Sequence, residues 1–148
     1  MPERLLETEA RIARPLHEVF EFFSDARNLA KITPPRLGFR MLTPHPVVMK
    51  EGALIDYRIK LLGFPVRWRT LISAWEPPFR FVDEQLVGPY RRWVHEHSFA
   101  DDGRGGTTMK DRVSYAVPFD FLVHRLWVGP DVRRVFDYRN EAIRALFP

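Results

Sequence analysis

The stretch 91–100 reads RRWVHEHSFA. Its residues alternate as a strand would: Trp93, His95, His97 and Phe99 on one face, Arg92, Val94, Glu96 and Ser98 on the other. Two large aromatics mark the first face as buried, and two imidazoles share it. Such a pair can carry protons, anchor a ligand or bind a metal. The outcome depends on what else the fold brings to that face. By the same parity, 79–87 offers Phe81, Asp83 and Gln85, and 107–117 offers Met109, Asp111, Val113 and Tyr115. The run 129–147 adds a cation. Val132, Val135, Phe136, Ala142, Ile143 and Leu146 form an apolar helical stripe, and Arg139 sits in its middle.

A polar set therefore converges inside an apolar shell: Asp83, Gln85, His95, His97, Asp111 and Arg139, with Tyr57 beside them. Trp68, Phe81, Trp93, Phe99 and Tyr115 make the surrounding wall. A buried charge must be paired, so Arg139 is expected to meet Asp111 or Asp83, with Asp111 the first choice. Three readings are open. The set can be an internal network that fixes helix against sheet. It can be the polar anchor of a small-molecule cavity, expected to measure a few hundred Å³. Or it can do chemistry, with His95 or His97 and Asp111 or Asp83 as an acid–base pair. A metal is the least favoured form of the third reading, because Arg139 repels a cation and no third ligand is evident. The expectation is no metal and no cofactor. No residue is assigned as catalytic; His95, His97 and Asp111 are the candidates.

The elements that must position these groups are readable in order. Residues 4–14 alternate as a strand. In 15–25, Pro15 opens a helix whose Leu16, Val19, Phe20 and Phe23 form a stripe. Ser24 or Asp25 can cap a second short helix over 26–32, which "TPP" (33–35) ends. Strands are expected at 37–43, 52–62, 64–75, 79–87, 91–100 and 107–117, joined by short turns and so antiparallel. Gly129, Pro130 and Asp131 read as the start of the last helix. Ile55, Tyr57, Ile59 and Leu61 share one face, as do Val66, Trp68, Thr70 and Ile72. Arg58, Lys60, Arg67, Arg69, Arg80, Arg92, Lys110 and Arg112 take the other, interrupted by Asp56, Glu84 and Glu96. That is a sheet covered on one side only.

Composition narrows the function classes. The 148 residues suit one domain, taken as 1–148. With no cysteine, disulfides and thiolate chemistry are out. A net charge of +4, with acids among the arginines and no aromatic ladder on the basic face, argues against nucleic acid. No apolar run is long enough to span a membrane. The charged start, MPERLLETEARIARP, does not read as a signal peptide, and a cytoplasmic location is expected. The other histidines read as bland. His17 is placed on an exposed helix face, His45 in a Pro-rich turn, and His124 in a packed connection, with a lid over the pocket mouth as the other reading of that segment.

Strand, two short helices, six strands and a long C-terminal helix is the order of an α+β helix-grip fold: a seven-stranded antiparallel sheet wrapped around the last helix. Four stretches carry a closer likeness: ARPLHEVFEFFSDARNLAKITPP (13–35), WRTLISAWEPPFRFVDEQLVGPYRRWVHEHSF (68–99), TTMKDRVSYAVPF (107–119) and VFDYR (135–139). On these the chain resembles the SRPBCC superfamily, also called START-like or polyketide-cyclase-like. It most resembles the bacterial ligand-binding members of unassigned physiology. The resemblance implies a pocket between sheet and helix for a small, largely apolar or aromatic molecule, lipid- or polyketide-like, and in some members a cyclase or hydrolase reaction. Fold alone does not choose among these. The expected ligand-binding residues are Tyr57, Trp68, Phe81, Asp83, Gln85, Trp93, His95, His97, Asp111, Tyr115 and Arg139.

Overall fold

Alternation of apolar and charged residues builds the sheet. The computed structural model describes residues 3–44, 46–61 and 63–148; His45 lies outside the described residues. Its strands are β1 (Arg4–Ile12), β2 (Arg40–Met41), β3 (Leu54–Leu61), β4 (Phe64–Glu76), β5 (Arg80–Val87), β6 (Arg92–Asp101) and β7 (Thr107–Ala116). They form one antiparallel sheet in the order β1-β7-β6-β5-β4-β3-β2. Sequential hairpins account for every pairing except β1 with β7, which joins the start of the chain to its late part. On the outer face Arg69 pairs with Asp56 and Arg80 with Glu96, as a solvated face permits.

The inner face is covered by helices. Helix α1 (Leu16–Ser24) follows β1, with Val19 and Phe20 buried. A 3-10 helix (Ala26–Ile32) comes next, and the Asp25 side chain accepts from the Arg27 N–H to cap it. Helix α2 (Asp120–Val123) runs through a π-helical turn (His124–Val128) into α3 (Gly129–Leu146). Val132, Phe136, Arg139 and Ile143 are the buried positions of α3. Ile143 packs with Phe20, Phe81, Phe99 and Met109, while Val132 and Phe136 pack with Leu6, Val113 and Tyr115. The helix-grip arrangement is thus present, with α3 held against the concave sheet. No helix among the described residues is long and apolar enough to cross a membrane.

Two elements differ from their sequence signals. The strand expected at 37–43 is only Arg40–Met41, because Pro35–Leu37 forms a 3-10 turn that Gly38 ends at φ 53°. The last helical run begins at Asp120, not at Gly129. Pro130 would ordinarily break such a run, since its ring clashes with the carbonyl four residues back. The wider π turn just before it accommodates the ring without ending the helix. Gly129 has a separate reason: a Cβ there would lie 2.8 Å from Cε1 of His124. That space lets the His124 ring reach the Tyr115 hydroxyl, 2.7 Å from its Nε2. The 120–128 segment is a helical connection tied to the sheet through His124, but Phe121, Leu122 and Trp127 on it are exposed rather than packed, and none of its described side chains lines the cavity described next. His17 is exposed.

Candidate functional site

Register brings the polar residues together. Asp83 lies opposite His95 on β6, and His97 lies opposite Asp111 on β7. From α3, one helical turn beyond Val135, Arg139 descends onto this row. Arg139 Nη2 donates to Asp111 Oδ1 at 3.2 Å and lies 3.3 Å from His97 Nδ1. Asp111 is the hub. Its Oδ1 also takes His95 Nε2 at 2.7 Å, and its Oδ2 takes the Thr8 hydroxyl at 3.4 Å. His97 Nε2 meets Asp83 Oδ2 at 2.5 Å.

These contacts assign the protons. A guanidinium can only donate, so His97 Nδ1 must accept. The His97 proton then sits on Nε2 and is given to Asp83. Burial, followed by the neighbouring His95, pushes His97 down to about 4, so it is neutral at physiological pH. Its ring is clamped between Phe81, 4.0 Å away, and His95, 3.7 Å away. Burial by itself would raise the Asp111 carboxyl, but the Arg139 charge and the His95 hydrogen bond outweigh it and hold it well below the usual range. The same contest ends the same way at Asp83, where the hydrogen bond from His97 leads the lowering. His95 donates Nε2–H to Asp111 and turns Nδ1 toward Asp83 Oδ2 at 3.8 Å, beyond hydrogen-bond reach.

A cavity of about 210 Å³ opens between this network, the 3-10 helix and the sheet. Its wall includes Tyr57, Trp68, Phe81, Asp83, Trp93, His95, His97 and Arg139 from the expected set. The aromatics interlock: Trp68 stacks on Tyr57 at 5.9 Å and meets Trp93 edge-on at 5.5 Å. Ile55, Ile59 and Ile72 floor it, and burial followed by the Asp83 charge pushes the Tyr57 hydroxyl above its usual range.

Three of the expected ligand-binding residues are elsewhere. Asp111 sits behind the wall, consumed by its three donors. Gln85 leaves the polar row and closes the following hairpin, donating to the Tyr90 carbonyl at 2.7 Å and accepting from the Tyr90 N–H at 3.1 Å. Gly88 has no side chain there, which makes room for it. Tyr115 backs Trp93 and spends its hydroxyl on His124. Phe99, expected in the wall, packs instead with Phe20 and Phe23. Conversely, Thr70, Phe39, Tyr90 and Phe136 line the cavity without having been singled out. Inward parity pointed to Thr70 and the helical stripe to Phe136, while nothing in "GPY" marks Tyr90.

The nitrogens of His95 and His97 and a carboxylate oxygen of Asp83 lie within 4.8 Å of one another, close enough for a metal in distance alone. The chemistry of the donors opposes it. With Arg139 donating to Nδ1, the His97 Nε2 carries a proton and has no lone pair to offer.

The family described as polyketide cyclase / dehydrase and lipid transport matches residues 12–144, nearly the whole chain. The chain belongs to that family. This places it in the SRPBCC superfamily that its sequence resembles. No curated protein matches it. Among solved structures, the Zhui aromatase/cyclase from Streptomyces sp. R1128 has a TM-score of 0.74 at 18% identity, covering 96% of this chain and 92% of that one. A protein from Chromobacterium violaceum has a TM-score of 0.75 at 13% identity, with 97% of each chain covered. Ginseng major latex-like protein 151 from Panax ginseng has a TM-score of 0.70 at 12% identity, covering 98% and 97%. At such identities the likeness is one of fold, which this polyketide cyclase / dehydrase family member shares across its length.

Proposed function

We propose that this protein binds a small, largely apolar or aromatic molecule between its sheet and its C-terminal helix. The observation that carries the reading is the cavity itself: about 210 Å³, apolar and aromatic on most sides, with Asp83, His95, His97 and Arg139 forming a polar cluster in its wall. A core built only for stability would fill that space, because interiors pack to near crystal density. An apolar chamber with a few convergent polar groups is the common form of a small-molecule site. The family's description points the same way. Native mass spectrometry of the purified protein, followed by denaturation and identification of what is released, tests it. A retained apolar molecule is the expected result. Its absence, together with no thermal protection from a panel of aromatic and lipid probes, would sink the reading.

One observation favours a second reading, an enzyme of cyclase or dehydratase type. His95 lines the cavity, and Asp111 holds its Nε2 as the orienting carboxylate of a His–Asp pair would. In the neutral ring Nδ1 is then the basic nitrogen. A base there can take a proton from carbon beside a carbonyl of the bound molecule. His97 is the weaker candidate, because both its nitrogens are engaged. The two readings part on His95→Gln: an enzyme loses turnover at unchanged affinity, whereas a binder has no turnover to lose.

A further inference from the structure

The run 119–127 is turned inside out. Its polar side chains face the sheet. Asp120, 4% exposed, accepts from Arg4 at 2.7 and 3.2 Å, and His124, one helical turn on, meets the Tyr115 hydroxyl at 2.7 Å. Its large apolar side chains face solvent: Phe119 is 71% exposed, Phe121 82%, Leu122 54% and Trp127 39%. No other stretch of that length among the described residues exposes as many. Single exposed apolar residues need no explanation, but a contiguous set marks a surface that meets something. Phe119 adds a second sign. It caps α2 at φ 55° and ψ 41°, the left-handed region, and among the described residues it is the one residue other than glycine with positive φ. A bulky side chain is strained there, and a ring so exposed recovers little from packing.

Charge identifies the partner. Three acids lie in 119–137. Asp120 and Asp131 are matched by Arg4 and Arg36, which come from other elements, at 2.7 Å each. That leaves Asp137 against Arg125, Arg133 and Arg134, all three exposed and without an ion pair among the described residues. Arg133 lines a shallow groove with His124 and Gly129, so its charge lies beside the apolar run. Aromatic rings and a leucine next to uncommitted arginines make up a segment suited to the boundary of a bilayer, with rings among the acyl chains and guanidinium groups at the phosphates. A second copy of the chain fits less well, because a twofold contact on this run would bring each Arg125 toward its own equivalent. We propose that 119–127, with Arg125 and Arg133, docks this protein reversibly onto an anionic lipid surface. This docking surface is separate from the cavity, whose wall contains none of its described residues.

Flotation with unilamellar vesicles tests this, using phosphatidylcholine alone and an equimolar mixture of phosphatidylcholine and phosphatidylglycerol. The wild type should float with the mixed vesicles and much less with phosphatidylcholine alone. Added salt should weaken the binding, because it screens the arginines. Phe121→Ser combined with Leu122→Ser should lower partitioning about tenfold, the scale of taking one large side chain out of an apolar phase. Arg125→Glu should lower it about fivefold or more. Phe64→Ser, which removes a comparably exposed ring (72%) at the start of β4, should leave it unchanged. All the altered side chains are exposed, so thermal melts of the variants should match the wild type. No flotation with the mixed vesicles overturns the proposal. Equal flotation of the wild type and the Phe121/Leu122 double variant overturns it too, because general basic charge would then do the binding. A dimer in analytical ultracentrifugation that the double variant abolishes, with no flotation, would give the surface to a second copy and overturn it as well.

Discussion

Arg139 on the C-terminal helix and Asp111 on the last strand are joined at 3.2 Å, with the aspartate almost wholly buried. The guanidinium also lies over the rings of Phe23 and Phe136, at 5.3 and 5.8 Å. A buried ion pair in an aromatic surround therefore ties helix α3 to the sheet. Removing one partner of such a pair typically costs about 3–5 kcal/mol, because the other is left charged and dry. Arg139→Leu should lose stability of that order in urea melts. Asp111→Asn should lose less, since an amide oxygen still accepts. The double change Arg139→Leu with Asp111→Leu should regain part of the loss. A wild-type melt for Arg139→Leu would refute the pairing.

Acid should loosen the fold through His97. The unfolded His97 takes a proton near 6.5, whereas the folded one holds out to about 4. Between those values the unfolded chain binds the extra proton, so stability is full above 6.5 and falls as pH drops toward 4. The slope from this group reaches at most about 1.4 kcal/mol per pH unit. His124 is shifted in the same direction by burial, so the assignment needs a variant. Urea midpoints at pH 7, 6 and 5 should decline in the wild type and decline less in His97→Asn. Parallel declines in both proteins would assign the effect elsewhere.

Gln85 separates structure from binding. Its two hydrogen bonds to the Tyr90 backbone close the β5–β6 hairpin. Gln85→Ala should cost about 1–2 kcal/mol, on the scale of the two bonds. Affinity for any aromatic probe should stay within twofold of wild type, as judged by quenching of the cavity tryptophans. A large loss of affinity without a loss of stability would return Gln85 to the ligand site.

Thr70→Val should raise the stability of the empty protein or leave it unchanged. The hydroxyl is buried beside that of Tyr57 with no well-formed hydrogen bond, and replacing it with a methyl removes a poorly satisfied polar group. Thermal melts without ligand check this. A marked drop would mean the hydroxyl has a partner after all.

Periodicity made much of this site legible. Strict alternation placed His95 and His97 inward, parity placed Asp83 and Asp111 beside them, and helical spacing placed Arg139 above. All five meet because a one-residue register error would have thrown a whole strand outward, and the aromatic residues forbid that. What escaped depends on reach rather than on facing. Gln85 has the inward parity, yet it sits at the end of its strand, where its side chain bends to the turn. Tyr115 faces inward and still spends its hydroxyl on His124, a partner nine residues later that only the helical path of 120–128 brings near. Gly129-Pro130-Asp131 carries every local mark of a helix start, and a π turn just ahead of it lets the helix run through.

The pairing of β1 with β7 also has a consequence in time. Arg4 lies opposite Tyr115 and Ile12 opposite Thr107. A ribosome adding about 5–20 residues per second must make roughly 100 residues between them, so the nascent strand waits on the order of 5–20 s for its neighbour. Throughout that wait its backbone can pair with other chains. Glu7, Glu9 and Arg11 alternate along it on the side turned to solvent. Those charges discourage a stray partner during synthesis, and in the finished protein they guard the same strand, which remains an edge of the sheet.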